Sequence, residues 1–204
     1  QGNVWFATQG GGLWRLGKNN AWKQYKHVEN DSTSLVSDQV NCLTIGEKGQ
    51  LYAVTGDGLC EFLPSKGIFR RISIDAPSQD FTSLVISQGV MWISTSKGIV
   101  KYTPGEPVQL FNKYDGLTCD QFMPNAGLLA SDGRIYFGST RGFNCFYPYL
   151  VKINQVAPPV AITSVELFGK PIEAGSDQLD KSLSHAAELN LSHNENTINI
   201  SFAA

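Results

Sequence analysis

Apolar and polar positions alternate around an aromatic residue in a short phrase that the chain writes four times. The copies are Gly2-Asn3-Val4-Trp5-Phe6-Ala7-Thr8, Gly49-Gln50-Leu51-Tyr52-Ala53-Val54-Thr55, Gly89-Val90-Met91-Trp92-Ile93-Ser94-Thr95 and Gly133-Arg134-Ile135-Tyr136-Phe137-Gly138-Ser139-Thr140. A period of two predicts a β-strand. Each copy is followed by a Gly and an apolar residue, Gly12-Leu13, Gly58-Leu59, Gly98-Ile99 and Gly142-Phe143, which marks a tight turn into a second strand. Short strands repeating at roughly 40–50 residues are the mark of a β-propeller.

The second unit shows the full pattern. Val40 to Ile45 is a largely apolar run suited to an inner strand, and Leu51 to Thr55, Leu59 to Phe62 and Ile68 to Ile74 follow it. The third unit repeats this with Phe81 to Ser87, Val90 to Ser96, Ile99 to Thr103 and Val108 to Asn112. The first unit starts at its second strand (Val4 to Thr8, then Leu13 to Leu16 and Trp22 to Lys26). The last has Leu128 to Ser131, Ile135 to Ser139 and Phe143 to Phe146, with no evident fourth strand. Fourteen strands make about three and a half four-stranded blades, whereas closed propellers use ~4–8. An open arc exposes blade faces and strand edges, so association is expected, with a second copy of the chain completing or capping the arc.

Composition changes after Tyr149. Asn154-Gln155-Val156-Ala157-Pro158-Pro159 reads as a linker, because two prolines halt ladder hydrogen bonding. Val160 to Phe168 reads as a strand, Gly169-Lys170-Pro171 as a turn, and Leu189-Asn190-Leu191 and Thr197 to Phe202 as two further strands split by a turn at His193 to Asn196. The predicted fold is all-β: a partial β-propeller over 1–153, a linker over 154–159, and the first strands of a β-sandwich over 160–204. The linker is where relative motion of the two parts is expected to be absorbed or blocked.

Charge and composition narrow the function classes. Hydrophobic residues make up 42% of the 204 and charged residues 17%, enough for a packed core. The net charge of −2 gives no basic footprint for nucleic acid and no polybasic stretch for a membrane, and no run approaches the ~18 apolar residues of a membrane span. Neither partner is expected within this fragment. Cys42, Cys60, Cys119 and Cys145 show no CxxC spacing. Unpaired buried thiols are expected, with Cys42, Cys60 and Cys145 inside strands.

No catalytic or metal motif stands out. Gly10-Gly11-Gly12 lacks the Gly-Lys-Ser/Thr of a phosphate loop and reads as a hairpin turn. Asp57-Gly58, Asp115-Gly116 and Asp132-Gly133 are turn pairs without the spacing of a calcium loop, and His27, His185 and His193 read as surface histidines. Glu61, Glu106, Asp75 and Asp80 are acidic enough for glycoside chemistry but read as solvated strand ends or turns. No catalytic residue, metal site or cofactor is predicted. Trp5 and Trp92 occupy the repeated position and read as inter-blade packing. Trp14 and Trp22 lie off it, so they are the candidates for stacking on sugar rings. Function in such scaffolds sits on connecting loops, here Glu29 to Ser34, Asp75 to Asp80 and Asp115 to Asn125.

The repeats resemble the two-component-regulator propeller repeat. Leu35-Val36-Ser37-Asp38-Gln39-Val40 leading into Leu51 to Thr55 carries the resemblance, with Trp92-Ile93-Ser94-Thr95 its closest single copy. Phe111-Asn112-Lys113-Tyr114-Asp115-Gly116-Leu117 with Gln121-Phe122, then Asp132 to Gly138 and Gly142 to Pro148, are similar to the family's last blade. Pro158 to Thr163 resembles entry into the Tyr-rich β-sandwich that follows, although no Tyr occurs after Tyr149. That family is the periplasmic sensor region of hybrid two-component systems in polysaccharide-degrading bacteria. The resemblance implies a non-enzymatic, periplasmic ligand-sensing module that detects oligosaccharides and relays to a phosphorelay histidine kinase absent from this chain. Two other classes stay open: a propeller enzyme, such as a glycan lyase or hydrolase, and a protein-interaction scaffold.

Overall fold

A computed structural model of the chain describes residues 2–151, 160–186 and 188–203. The predicted linker over 154–159 lies outside the described residues. The chain divides into two compact units, Gln1–Val151 and Lys152–Ala204.

The first unit holds four antiparallel sheets in chain order. The first contains β1 (Val4–Ala7), β2 (Leu13–Leu16) and β3 (Trp22–Tyr25), and the second β4 (Val40–Ile45), β5 (Leu51–Thr55), β6 (Gly58–Leu63) and β7 (Ile68–Ile72). The third contains β8 (Phe81–Ser87), β9 (Val90–Thr95), β10 (Gly98–Tyr102) and β11 (Gln109–Phe111), and the fourth β12 (Phe122–Leu129), β13 (Ile135–Ser139) and β14 (Gly142–Phe146). Each sheet is a meander with sequential strands paired, the form of a propeller blade. Fourteen strands in blades of three, four, four and three match the arc read from the repeats.

The repeated phrase ends in Thr for a local reason. Thr55 and Thr95 donate through Oγ1 to the carbonyls of Gly58 and Gly98 at 2.8 and 3.0 Å, and their hydroxyls accept from the turn N–H groups of Asp57 and Lys97. Ser139 does the same with Gly142 and Arg141. Each hydroxyl therefore closes its own two-residue turn. Glycine follows because the chain leaves the turn at positive φ, 144° at Gly58, 128° at Gly98 and 116° at Gly142; at Gly98 the neighbouring strand also leaves no room, since a Cβ would sit 2.1 Å from the backbone oxygen of Phe111.

The sheets stack face to face. Leu51, Ala53, Cys60 and Phe62 of the second sheet are buried with Leu13 and Tyr25 of the first. Met91, Ile93 and Val100 of the third are buried with Tyr52, Val54 and Leu59 of the second, and Ile135 and Phe137 of the fourth with Trp92 and Ile99 of the third. The same repeat positions are used at every interface. Side chains such as Ile93, fully buried, contribute roughly 1.5–3 kcal/mol each, so these interfaces hold the unit together. Trp5 and Trp92 lie in them as the repeat implies: Trp5 is 4.8 Å from the Phe62 ring and Trp92 4.9 Å from the Phe146 ring, both across a sheet boundary. The inner strands are tied further by side chains, with Asn41 donating to the Phe81 carbonyl at 2.7 Å and Thr44 to that of Leu84 at 2.8 Å.

Three sequence expectations need correction in this unit. The inner strand of the fourth sheet starts at Phe122 rather than Leu128, because a register shift between Phe122 and Gly127 absorbs Pro124 and lets the strand pass through residues that read as breakers. Cys145 is exposed, because no sheet of this unit covers its face of β14, while Cys42 and Cys60 are buried. Glu61 is no solvated strand end. It lies buried in mid-strand, where Arg70 on β7 donates Nε to its carboxylate at 3.1 Å.

The second unit is a three-stranded antiparallel sheet of β15 (Ala161–Leu167), β16 (Lys170–Pro171) and β17 (Ile198–Ala203), in the order β16-β15-β17. Among its described residues, Val165 and Leu179 are the buried apolar ones. Leu189 to Leu191 is not a strand; Asn190 instead donates its N–H to the Gln178 carbonyl at 2.9 Å, which holds this segment to a turn. Lys170-Pro171 pairs with β15 beyond a turn at Phe168-Gly169, so the turn is shorter than the sequence suggested.

Candidate functional site

The structure places the predicted sugar-stacking pair together. Pairing of Phe6 with Trp14 and of Leu16 with Trp22 puts Val4, Phe6, Trp14, Leu16 and Trp22 on one face of the first sheet. Ring centroids of Phe6 and Trp22 lie 5.5 Å apart and those of Trp14 and Trp22 6.2 Å apart. Trp22 is 56% exposed. Val4, Phe6, Trp14 and Leu16 stand where Leu51, Ala53, Cys60 and Phe62 stand in the second sheet, the positions buried against a preceding sheet. Repeat equivalence thus reads this face as an uncovered blade interface, and the aromatic cluster as part of it.

A different place gathers polar chemistry. The turn between β9 and β10, the turn between β13 and β14, and the connection from β11 to β12 meet at one end of the third and fourth sheets. They line a groove of about 600 Å³ that includes Ser96, Lys97, Lys113, Tyr114, Asp120 and Arg141. The connection overlaps the predicted functional loop Asp115 to Asn125. The other two predicted loops do not line the groove.

The connecting loop is fixed by its own hydrogen bonds. It opens with a single-turn 3-10 helix, Lys113–Asp115. Asn112 Oδ1 accepts from the Tyr114 N–H at 2.8 Å, and Asp115 Oδ2 accepts from the Asn112 N–H at 2.9 Å, a reciprocal cap. Asp120 Oδ1 accepts from the Lys113 N–H at 2.7 Å. Farther on, buried Asn144 on β14 accepts from the Thr118 N–H at 2.9 Å and donates to its hydroxyl at 3.1 Å. These bonds hold Tyr114 outward, 87% exposed, with Lys113 Nζ 5.0 Å from its ring centroid.

The groove is electrically lopsided. Lys97, Lys113 and Arg141 are exposed and form no salt bridge among the described residues, while Asp120 is the sole carboxylate in the lining and already accepts from the loop backbone. Cys119 also lies here. Burial pushes its thiol up, but hydrogen bonds involving Ser139, Gln121, Thr140 and Arg141 outweigh this and leave it below the ordinary thiol value. A smaller cleft of about 200 Å³ between the same sheets is lined by Trp92, Ile99, Phe111, Leu117 and Phe146, which are side chains of the interface core or packed against it.

The other sequence candidates are structural. Gly10-Gly11-Gly12 forms the β1–β2 turn, with the N–H groups of Gly10 and Gly12 donating to the Asp38 carbonyl. Asp132 accepts from Arg134 Nε at 2.7 Å, and Asp75, Asp80 and Glu106 are exposed. His27 Nδ1 lies 2.8 Å from the Leu35 carbonyl. Among the described residues no group of three His, Cys, Asp or Glu side chains is placed to hold a metal ion, and no helix is long and apolar enough to cross a membrane.

Sequence reasoning pointed to one of the three segments that build the groove. It missed Lys97 and Arg141, which read as ordinary turn residues. The available signal was the repeat itself: Asp57, Lys97 and Arg141 occupy one turn position, and its charge changes sign between the second sheet and the next two.

No protein-family model matches the chain. A curated relative, Histidine kinase P4 of Formosa agariphila, is 27% identical over 116 residues, which is 55% of this chain and 8% of that protein. Among solved structures, the extracellular domain of BT3049 from B. thetaiotaomicron, assigned to a hybrid two component system, superposes with a TM-score of 0.71 at 24% identity. The match covers 98% of this chain and 27% of that one. The corresponding domain of BT4673 matches at a TM-score of 0.54 and 17% identity, over 100% of this chain and 26% of that one. The chain thus spans about a quarter of these domains, and its fold of propeller blades followed by a β-sandwich sheet is the one found in extracellular domains assigned to hybrid two component systems.

Proposed function

We propose that the chain is part of the periplasmic ligand-sensing module of a hybrid sensor histidine kinase and response regulator, without catalytic activity of its own. The observation that carries this reading is the fold match to the BT3049 extracellular domain over 98% of the chain. The relative named as a histidine kinase supports it. The ligand is a glycan-derived oligosaccharide, bound on the loop face of the blades, where Tyr114 supplies an exposed ring for a sugar to stack on. Bound sugar would favour one conformation of the parent protein over another and so bias the phosphorelay.

A second copy of the chain is the proposed partner at the open ends of the arc. The last sheet exposes Phe143, with Tyr136 half-buried beside it, at the positions where Ile99 and Trp92 cover the next sheet inside the chain. The first sheet exposes Val4 and Phe6 at the positions such residues cover. Head-to-tail pairing would repeat the internal interface.

Calorimetric titration of the chain against a panel of defined oligosaccharides tests the sensing reading. Saturable binding of one glycan class without turnover supports it. Turnover of the sugar would move the protein to the propeller enzymes, and silence across a broad panel would favour an interaction scaffold.

A further inference from the structure

At the turn position shared by Asp57, Lys97 and Arg141 the hairpin itself places no demand on the side chain, although Lys97 Nζ also reaches the Pro77 carbonyl at 3.5 Å. The backbone N–H of each residue bonds the hydroxyl that closes its turn, and that bond is indifferent to the side chain. The hairpin therefore does not explain why two adjacent blades place cations there. Lys113 comes to the same groove from an unrelated segment, on a loop already fixed by reciprocal caps. Three exposed cations, without salt-bridge partners among the described residues, converge on a concave site beside an exposed aromatic ring in a chain whose net charge is −2. Cations lining one concave site favour an anionic ligand, and the pre-set loop spares ordering entropy.

We infer that the groove formed by Lys97, Lys113, Tyr114 and Arg141 binds an acidic saccharide. A carboxylate or sulfate engages the cations, and the sugar ring lies against Tyr114. This rests on the saccharide-sensing reading above and narrows it to one ligand class. Arg141 offers a planar fork for two acceptor oxygens, and the lysines act as point charges.

The test is calorimetric titration of the 204-residue chain at low and moderate salt with three probes: trigalacturonate for carboxylate, a sulfated chondroitin disaccharide for sulfate, and neutral maltotriose. An acidic probe is expected to bind at least roughly tenfold more tightly than maltotriose, since one charge-assisted hydrogen bond is of that order. The preference should shrink as salt screens the groove. Which acidic probe binds better distinguishes carboxylate from sulfate. The double variant K97Q/R141Q should lose roughly tenfold in affinity for that probe. D57N, at the matching turn of the second sheet, should leave it unchanged, and matching thermal melts show that all three proteins are folded. Maltotriose bound as tightly as the acidic probes, with K97Q/R141Q unaffected, would overturn the groove assignment while leaving the sensing reading standing. Silence toward all three probes would also overturn it, and the wider panel then judges the sensing reading separately.

Discussion

Thr95 closes its hairpin on Gly98. Its hydroxyl donates to the Gly98 carbonyl at 3.0 Å and accepts from the Lys97 N–H at 2.9 Å, and Thr95 itself is fully buried. The aromatic phrase and the glycine after it are thus one device, which returns the chain after each second strand. Thr95→Val keeps the side-chain shape and deletes both bonds. It should lower stability by about 1–3 kcal/mol in urea denaturation. An unchanged midpoint would mean that the hydroxyl is replaceable by water.

Gly98 and Gly89 separate two costs of replacing glycine. Both have positive φ, but a Cβ on Gly89 meets nothing within 4 Å, whereas one on Gly98 meets the Phe111 backbone oxygen at 2.1 Å. Gly89→Ala should cost about 1 kcal/mol for its backbone conformation alone. Gly98→Ala should cost roughly 3 kcal/mol or more, because β11 must move. Equal losses in chemical denaturation would count against the close approach.

Arg70 compensates the buried carboxylate of Glu61. Arg70→Leu leaves that charge in a buried strand beside Tyr52 and should destabilise by about 1–3 kcal/mol. The double variant Glu61→Gln/Arg70→Leu should recover part of the loss, since the stranded charge is gone. Thermal melts of the two variants decide this; a double variant less stable than Arg70→Leu would refute the pairing as the cause.

Native thiol reactivity should split two and two. Burial is the main cause pushing the Cys42 and Cys60 thiols up, and both side chains are covered. A disulfide reagent should therefore spare them until the chain unfolds. Cys119 and Cys145 should react in the folded protein. The Cys119 thiol lies below its ordinary value, so its thiolate forms, and its reaction accelerates, at lower pH than for free cysteine. Cys119→Ser should remove that phase of the rate–pH profile.

The uncovered first face predicts self-association. Sedimentation velocity at micromolar concentration should show a species larger than the monomer, and Phe6→Ser/Trp22→Ser should shift the distribution back toward it. A wild-type chain that stays monomeric and melts cooperatively would exclude a second copy as the partner of this face.

Much of the blade architecture is legible along the chain because hairpins are local. Val90 to Thr95 and Gly98 to Tyr102 pair across a two-residue turn, so alternation and a glycine suffice to place them. The inner strand of the fourth sheet was misplaced because Pro124 and Gly127 break strands by rule, and only the neighbouring inner strand shows the bulge as a fit: Ser83 accepts from the Ala126 N–H at 2.8 Å. Leu189 to Leu191 alternates like a strand yet finds no ladder, since alternation supplies a face and not a partner.

Taken by itself, the sequence determined most of the strand pattern, the blade count and the absence of a basic footprint. Each depends on period, punctuation or composition, which act over a few residues. Tertiary structure decided which faces are covered, that Glu61 is buried under Arg70, that Cys145 is open, and that Lys97, Lys113 and Arg141 share one groove. Those outcomes depend on how one blade lies on the next, and the packing that sets it joins side chains roughly 40 residues apart in the chain.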